Sequence, residues 1–125
     1  MPSGSGEEDR GDMTVERVLP EDPRAFIQRC VQRRQMYWTY HINMRLPGRF
    51  ISRQHILNAV NTYEVIESYP EDKYLPSYLV YAELDGEVFH ILFAVDVPAE
   101  HVRVVTAYRP DLEAWEVDQK TRRWT

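Results

Sequence analysis

An almost wholly apolar run, Glu87–Asp96 (EVFHILFAVD), lies between two further strand-like runs and constrains the fold of this chain most. It is rich in Val, Ile and Phe and too short to span a membrane, so it predicts a strand buried on both faces. Ser77–Leu84 precedes it, and Asp85-Gly86 between them is the kind of two-residue turn that closes a β-hairpin. His101–Tyr108 predicts a third strand.

A two-residue turn also fixes the register of the first two strands. It places Leu84 opposite Glu87, Ala82 opposite Phe89, and Tyr81 opposite His90. One face is then wholly apolar and must face the core; it carries Tyr78, Val80, Ala82, Phe89, Ile91, Phe93 and Val95. The other face carries Leu79, Tyr81, Glu83, Val88, His90 and Leu92. A histidine beside a tyrosine in the middle of a central strand is the pair most suggestive of a functional site.

Charge is distributed unevenly along the 125 residues, whose formal net charge is −5. Residues 23–55 carry seven arginines and no acid, whereas residues 56–118 carry thirteen acids and three cations. Such asymmetry suggests a phosphate-rich or acidic partner for one surface. The alternative is that the arginines pair with the acidic part of the chain on folding. One cysteine, Cys30, gives no intrachain disulfide and fits a reducing cytoplasm, where we expect the protein to reside.

The remaining segments complete a prediction of the fold. Residues 1–22 are polar and predict a disordered or loosely attached acidic extension, followed by a single domain over residues 23–125. Asp22-Pro23 starts a helix that runs to about Arg34, and Ser52 caps a second one from Arg53 to about Asn61. Residues 63–69 predict a strand, residues 36–40 predict either a short edge strand or a tight lead-in, and residues 112–124 a short helix or an extended tail. The order predicts an α+β domain: two N-terminal helices on one face of a four-stranded antiparallel meander, whose other face, with His90, is open.

Several motifs, in this order and spacing, resemble the family known as domain of unknown function 4258 (DUF4258). The positions that carry the resemblance are His41, Arg45, Arg49, Ile51, Ser52, residues 65–67, 69–70, 72, 75–77, 89–90, 93–94, 105–108 and 110–111, Trp115, Glu116, Arg122 and Arg123. That family is similar to RelE-like toxins and other members of the barnase-like ribonuclease superfold. The resemblance implies a toxin-type endoribonuclease of a bacterial toxin–antitoxin system, acting on single-stranded RNA or ribosome-bound mRNA, with an antitoxin protein as a partner. The acidic net charge and the polar extension depart from the pattern.

Metal-independent RNA cleavage needs a base for the 2′-hydroxyl proton, an acid for the leaving 5′-oxygen, and cations that stabilise the phosphorane. The candidate catalytic residues are His41, Arg45, His90 and Tyr108, with the two histidines as base and acid. The candidate substrate-binding residues are Tyr81, Arg49, Arg122 and Arg123. We predict no cofactor and no membrane or DNA partner. We also predict no metal site, because the four histidines lack ligand spacing and Cys30 lies on the apolar face of its helix.

Other interpretations of these residues stay open. His90 with Tyr81 is also what a structural, hydrogen-bonded pair would look like, and the arginines can serve only as ion-pair partners. The catalytic hypothesis requires His41, His90 and the arginines to converge on one open face. A non-catalytic protein-interaction module of the same fold predicts scattered histidines and a large exposed apolar or acidic patch. A small-molecule binder predicts a closed, mostly apolar cavity on the sheet.

Overall fold

The structure is a computed structural model that describes residues 18–39 and 51–123. The helices and strands of these residues are α1 (Pro23–Gln32), β1 (Met36–Trp38), α2 (Arg53–Asn58), β2 (Glu64–Tyr69), β3 (Ser77–Leu84), β4 (Glu87–Asp96) and β5 (His101–Tyr108), with a 3₁₀ turn at Val60–Thr62. Most of the predicted extension over residues 1–22 lies outside the described residues. Within them, no helix is long and apolar enough to cross a membrane.

The five strands form one mixed sheet in the order β1-β5-β4-β3-β2. Strands β2 to β5 form an antiparallel meander, as the sequence predicts. The short strand β1 lies at the far edge and pairs with β5 in parallel, with Met36 opposite Val102 and Trp38 opposite Val104. The prediction of a four-stranded, purely antiparallel sheet preceded by two helices is therefore wrong, although the α+β class is correct.

The error has a physical cause. In a four-stranded meander, the outer edge of β5 would leave a row of backbone N–H and C=O groups without partners. β1 pairs with that edge, and the amide of Thr39 continues the contact by donating to the carbonyl of Val104 at 3.0 Å. A three-residue strand is too short to show alternation, and its partner lies more than sixty residues later in the chain. The sequence allowed an edge strand at residues 36–40 but gave no signal for its direction.

The predicted β3–β4 register is confirmed, including the pair of Tyr81 and His90. Asp85 and Gly86 both have positive φ angles, 53° and 82°, as a tight hairpin turn of this type requires. All seven side chains of the predicted core face are buried. They pack against α1, which buries Phe26, Ile27, Cys30 and Val31.

Both helices start where their caps place them. The side chains of Asp22 and Ser52 accept from the amides of Ala25 and His55, each at 3.1 Å. α2 is shorter than predicted, because it ends at Asn58 and the chain tightens into the 3₁₀ turn. The buried hydroxyl of Tyr63 donates to the carbonyl of Ile56 at 2.7 Å and so ties the end of α2 to the start of β2.

Replacing Tyr63 by Phe tests this tie. We expect Tyr63→Phe to lower the free energy of unfolding by about 1–2 kcal/mol, because the buried carbonyl of Ile56 loses its donor. Urea denaturation followed by circular dichroism measures the change. Tyr74→Phe is the matched control, since Tyr74 is 80% exposed, and it should leave the unfolding midpoint unchanged. Equal midpoints for both variants would show that the hydrogen bond does not stabilise the fold.

Candidate functional site

The face of the sheet opposite the core, called the site face below, carries two rows of aligned side chains. One row runs from Glu67 on β2 through Leu79 and Leu92 to Thr106 on β5. The next row contains Glu64, Tyr81, His90 and Tyr108. Since residues directly opposite each other in a sheet point to the same face, these eight side chains share one surface.

A register shift in β2 determines which acids reach the site face. Val65 pairs with Val80, but the next pair is Glu67 with Leu79, so Ile66 is an extra residue, as in a β-bulge. In a strand of strict alternation, Glu64 and Glu67 would lie on opposite faces. The extra residue puts both carboxylates on the site face, while Val65 still packs against the core.

A second register shift, in the pairing of β4 with β5, determines which side chains of β5 reach the site face. Phe93 pairs with Val104 and Leu92 pairs with Thr106, which leaves Val105 as the extra residue. Val104 therefore faces the core, whereas Thr106 two positions later faces the site. Tyr108 follows Thr106 on that face and pairs with His90.

The C-terminal segment, residues 110–123, folds back over part of the site face. Trp115 is 3% exposed and its ring packs edge-on against His90, with the ring centroids 4.5 Å apart. Trp115 also forms an isolated bridge with Arg122, so the segment closes on itself as a tight loop. The side chain of Asp118 holds the turn by accepting from the amides of Lys120 and Thr121. The sequence predicted an open face here, and the segment covers the part above His90.

The uncovered part of the site face forms a pocket of about 700 Å³. Its floor is apolar and its rim is polar. The lining residues are Ser68, Tyr69, Pro70, Glu71, Asp72, Leu79, Leu92, Thr106, Tyr108 and Arg122. The pocket thus combines a floor that a planar or apolar group can contact with two phenols, two carboxylates and one guanidinium.

Arg122, Glu67 and Tyr69 form a hydrogen-bonded cluster at one side of this pocket. Arg122 donates from Nε to Oε2 of Glu67 at 2.7 Å and from Nη2 to Oε1 at 3.1 Å. The hydroxyl of Tyr69 donates to Oε1 of the same carboxylate. Burial acts to raise the pKa of Glu67, but the hydrogen bonds from Arg122 and Tyr69 outweigh it, and the pKa lies below its ordinary value. The carboxylate is therefore ionised at neutral pH.

His90 lies under the C-terminal segment and is fully buried. Its Nε2 is 2.7 Å from the carbonyl oxygen of Gln119, which can only accept, so Nε2 carries the proton. In the neutral ring Nδ1 is then the acceptor, and the hydroxyl of Tyr108 donates to it at 3.3 Å. The resulting chain of contacts links the C-terminal segment to the pocket through the histidine.

The surroundings of His90 favour its neutral form. Burial is the main cause that lowers the pKa of His90, and the positive charge of Arg122 adds to it. The hydrogen bond to Gln119 and the negative charge of Glu67 oppose the shift without reversing it. Burial likewise raises the pKa of Tyr108, so both partners are uncharged at neutral pH.

The predicted site residues fall into three groups. Arg122 and Tyr108 line the pocket, and His90 lies beside Tyr108 on the neighbouring strand, outside the lining. Tyr81 lies beside His90 but under Lys120, whose ammonium is 4.7 Å from its ring centroid, and Arg123 binds Glu116 at 3.1 Å, so neither lines the pocket. His41, Arg45 and Arg49 lie outside the described residues.

Glu67, Tyr69 and Trp115 were not among the residues predicted for the site. The spacing of Glu67 and Tyr69, two residues apart, marks a shared strand face. Which face they share could not be predicted, because the bulge at Ile66 has no local signature. Among the described residues, no group of three or more His, Cys, Asp and Glu side chains is arranged to hold a metal ion.

The neutral state of buried His90 predicts a pH dependence of stability. Its pKa is depressed in the folded protein, whereas in the unfolded chain it titrates near 6.5. The unfolded chain thus binds more protons below that pH, so the stability contributed by His90 is present above about 6.5 and is lost as the pH falls through the folded pKa.

We expect the urea midpoint of the wild type to be lower at pH 5 than at pH 7.5. The decrease should be smaller in His90→Gln. If the urea midpoint changed equally with pH in the wild type and in His90→Gln, a depressed pKa at His90 would be refuted.

Comparison with known protein families gives a match. No curated protein and no solved structure matches the chain. The model of a family described as a domain of unknown function (DUF4258) matches residues 38–109, more than half of the chain. The matched region contains Glu67, Tyr69, His90 and Tyr108 and ends before the C-terminal segment. By this match, the chain belongs to the DUF4258 family.

Proposed function

We propose that the protein is a toxin-type, metal-independent endoribonuclease that acts on single-stranded or ribosome-bound RNA at the pocket of the site face. The observation that carries the proposal is the cluster of Glu67, Tyr69 and Arg122 beside an apolar floor, with Tyr108 across the pocket. These groups supply a carboxylate, a permanent cation and two aromatic rings in one place.

The cleavage step assigns a role to each group. Glu67 takes the proton of the 2′-hydroxyl, the 2′-oxygen forms a bond to phosphorus, and the bond from phosphorus to the 5′-oxygen breaks. Arg122 stabilises the charge on the phosphorane, since a guanidinium grips phosphate through two hydrogen bonds. The leaving 5′-oxygen takes a proton from His41, a role that stays a prediction from the sequence. Tyr69 and Tyr108 orient a base or the phosphate.

This assignment changes the role that the sequence analysis gave to His90. A neutral, buried ring with both nitrogens hydrogen-bonded is poorly placed to exchange protons with a substrate. In the proposal His90 positions the hydroxyl of Tyr108 and anchors Gln119. The similarity to RelE-like toxins, an antitoxin as partner, and a cytoplasmic location all belong to this proposal and rest on the resemblance and on the single cysteine.

A non-catalytic protein-interaction module is the second candidate, and the charge of the pocket favours it. Glu71 and Asp72 are part of the lining, and Arg122, whose guanidinium also lines the pocket, is bound to Glu67. An apolar floor with an acidic rim suits a basic, partly apolar segment of a partner protein better than it suits free RNA. In that case Glu67 and Arg122 stabilise the fold and carry no chemistry.

Cleavage of a mixed-sequence RNA in EDTA decides between the two candidates. We expect the wild type to leave 2′,3′-cyclic phosphate ends, and Glu67→Gln and Arg122→Ala each to lower the rate by about a hundredfold or more. Glu87→Gln and Arg109→Ala are matched controls, because these two residues form an ion pair at 3.1 Å outside the pocket lining.

The same variants are then tested on ribosome-bound mRNA. A folded wild type that cleaves neither substrate, or a Glu67→Gln variant that cleaves as fast as the wild type, would contradict the nuclease. The first of these results would favour the interaction module.

A further inference from the structure

Arg122 is the only cation among the residues that line the pocket in the described part of the chain, and its donors already have an acceptor. The two hydrogen bonds from Nε and Nη2 join it to Glu67 across 55 positions of sequence. This bidentate geometry is also the one by which a guanidinium binds the oxygens of a phosphate. The carboxylate of Glu67 thus occupies the position that an anionic ligand of Arg122 would need.

The guanidinium is held independently of Glu67. Its central carbon lies 4.6 Å from the ring centroid of Trp115, which supports the planar group from one side. Trp115 itself is buried against His90. Arg122 is therefore still held in place when its hydrogen bonds to the carboxylate of Glu67 break.

Two further contacts anchor the segment that carries Arg122. The carbonyl of Gln119 accepts from His90 at 2.7 Å, and the ammonium of Lys120 pairs with Glu64 at 2.9 Å. Neither contact involves Glu67. Exchanging the acceptor at Arg122 consequently does not require the C-terminal segment to leave the sheet.

The ion pair is exposed enough to exchange. The side chain of Arg122 is 40% exposed and that of Glu67 is 20% exposed. Water can reach the guanidinium when the pair opens, which lowers the free-energy cost of exchanging its acceptor. Tyr69 still donates to Glu67 after the exchange, so the carboxylate does not lose all its partners.

We propose that Glu67 is an internal counter-ion that blocks an anion site at Arg122, and that a phosphate-type group entering the pocket displaces it. The inference rests on the proposed function in that Arg122 receives a phosphate. It adds that the resting protein is self-inhibited and that the substrate frees the base. Once a phosphate has replaced Glu67 at Arg122, Glu67 loses its strongest hydrogen-bond donor and becomes more basic.

Titration with inorganic phosphate tests the exchange in the full chain. The readout is the NMR shift of the Nε–H group of Arg122. We expect Glu67→Gln to bind phosphate about fivefold more tightly than the wild type, because the competing charge is gone while the side chain keeps its shape. Glu87→Gln, which lies outside the pocket lining, should bind like the wild type, and Arg122→Ala should show no saturable shift of the Tyr69 and Tyr108 ring signals.

A Glu67→Gln variant that binds phosphate no better than the wild type would overturn the proposal, and so would saturable binding by Arg122→Ala. If Glu67→Gln does not fold, the wild type alone suffices. By linkage, saturating phosphate must then raise the pKa of the Glu67 carboxyl, as followed by its carbon NMR signal. An unchanged pKa would overturn the proposal as well.

The outcomes separate this inference from the nuclease. If Glu67→Gln binds phosphate more tightly but the wild type does not cleave RNA, the anion site is supported and the nuclease proposal is contradicted. If cleavage depends on Glu67 but Glu67→Gln binds phosphate no more tightly, the nuclease proposal is supported and the displacement of Glu67 by phosphate is contradicted.

Discussion

The alternation of side chains along β4 is the constraint on which the rest of this structure depends. A strand that is paired on both sides can place its residues only up or down, and β4 gives Phe89, Ile91, Phe93 and Val95 to the core. The intervening positions must then point to the site face, where His90 and Leu92 lie. Moving this strand by one residue would bury polar groups against α1 and expose the core, so its neighbours are held to its register.

The features of the fold that could be predicted depend on residues close together in sequence, whereas the feature that could not depends on residues far apart. The β3–β4 pairing follows from Asp85-Gly86, because a two-residue turn determines the pairs that follow it. The helix starts follow from Asp22 and Ser52, whose caps act within three residues. The pairing of β1 with β5 depends on an edge that exists only after the meander has formed, and no local pattern near Met36 encodes it.

The candidate site was predictable in part for the same reason. Tyr81 opposite His90 follows from the hairpin alone, and Arg122 and Tyr108 came from the motifs of the resemblance. Glu67 did not, since its orientation depends on one extra residue at Ile66. The covering of His90 by the C-terminal segment was not predictable either. Residues 112–124 are polar in sequence, and only tertiary contacts bring Trp115 over the histidine. Burial then removes the charge that made His90 attractive as a catalyst, because a buried imidazolium with an apolar ring above it is costly.

The bulges at Ile66 and Val105 have a consequence for how such a protein changes over generations. Each inserts a single residue in a strand beside the central hairpin and leaves the core side of that strand packed, as Val65 and Val104 show. Because the bulge absorbs the extra position, the residues after it keep the faces that they would have without it, and on β5 Tyr108 stays on the site face. A lineage can therefore gain or lose one codon at either bulge without turning the site side chains into the core and without moving a helix.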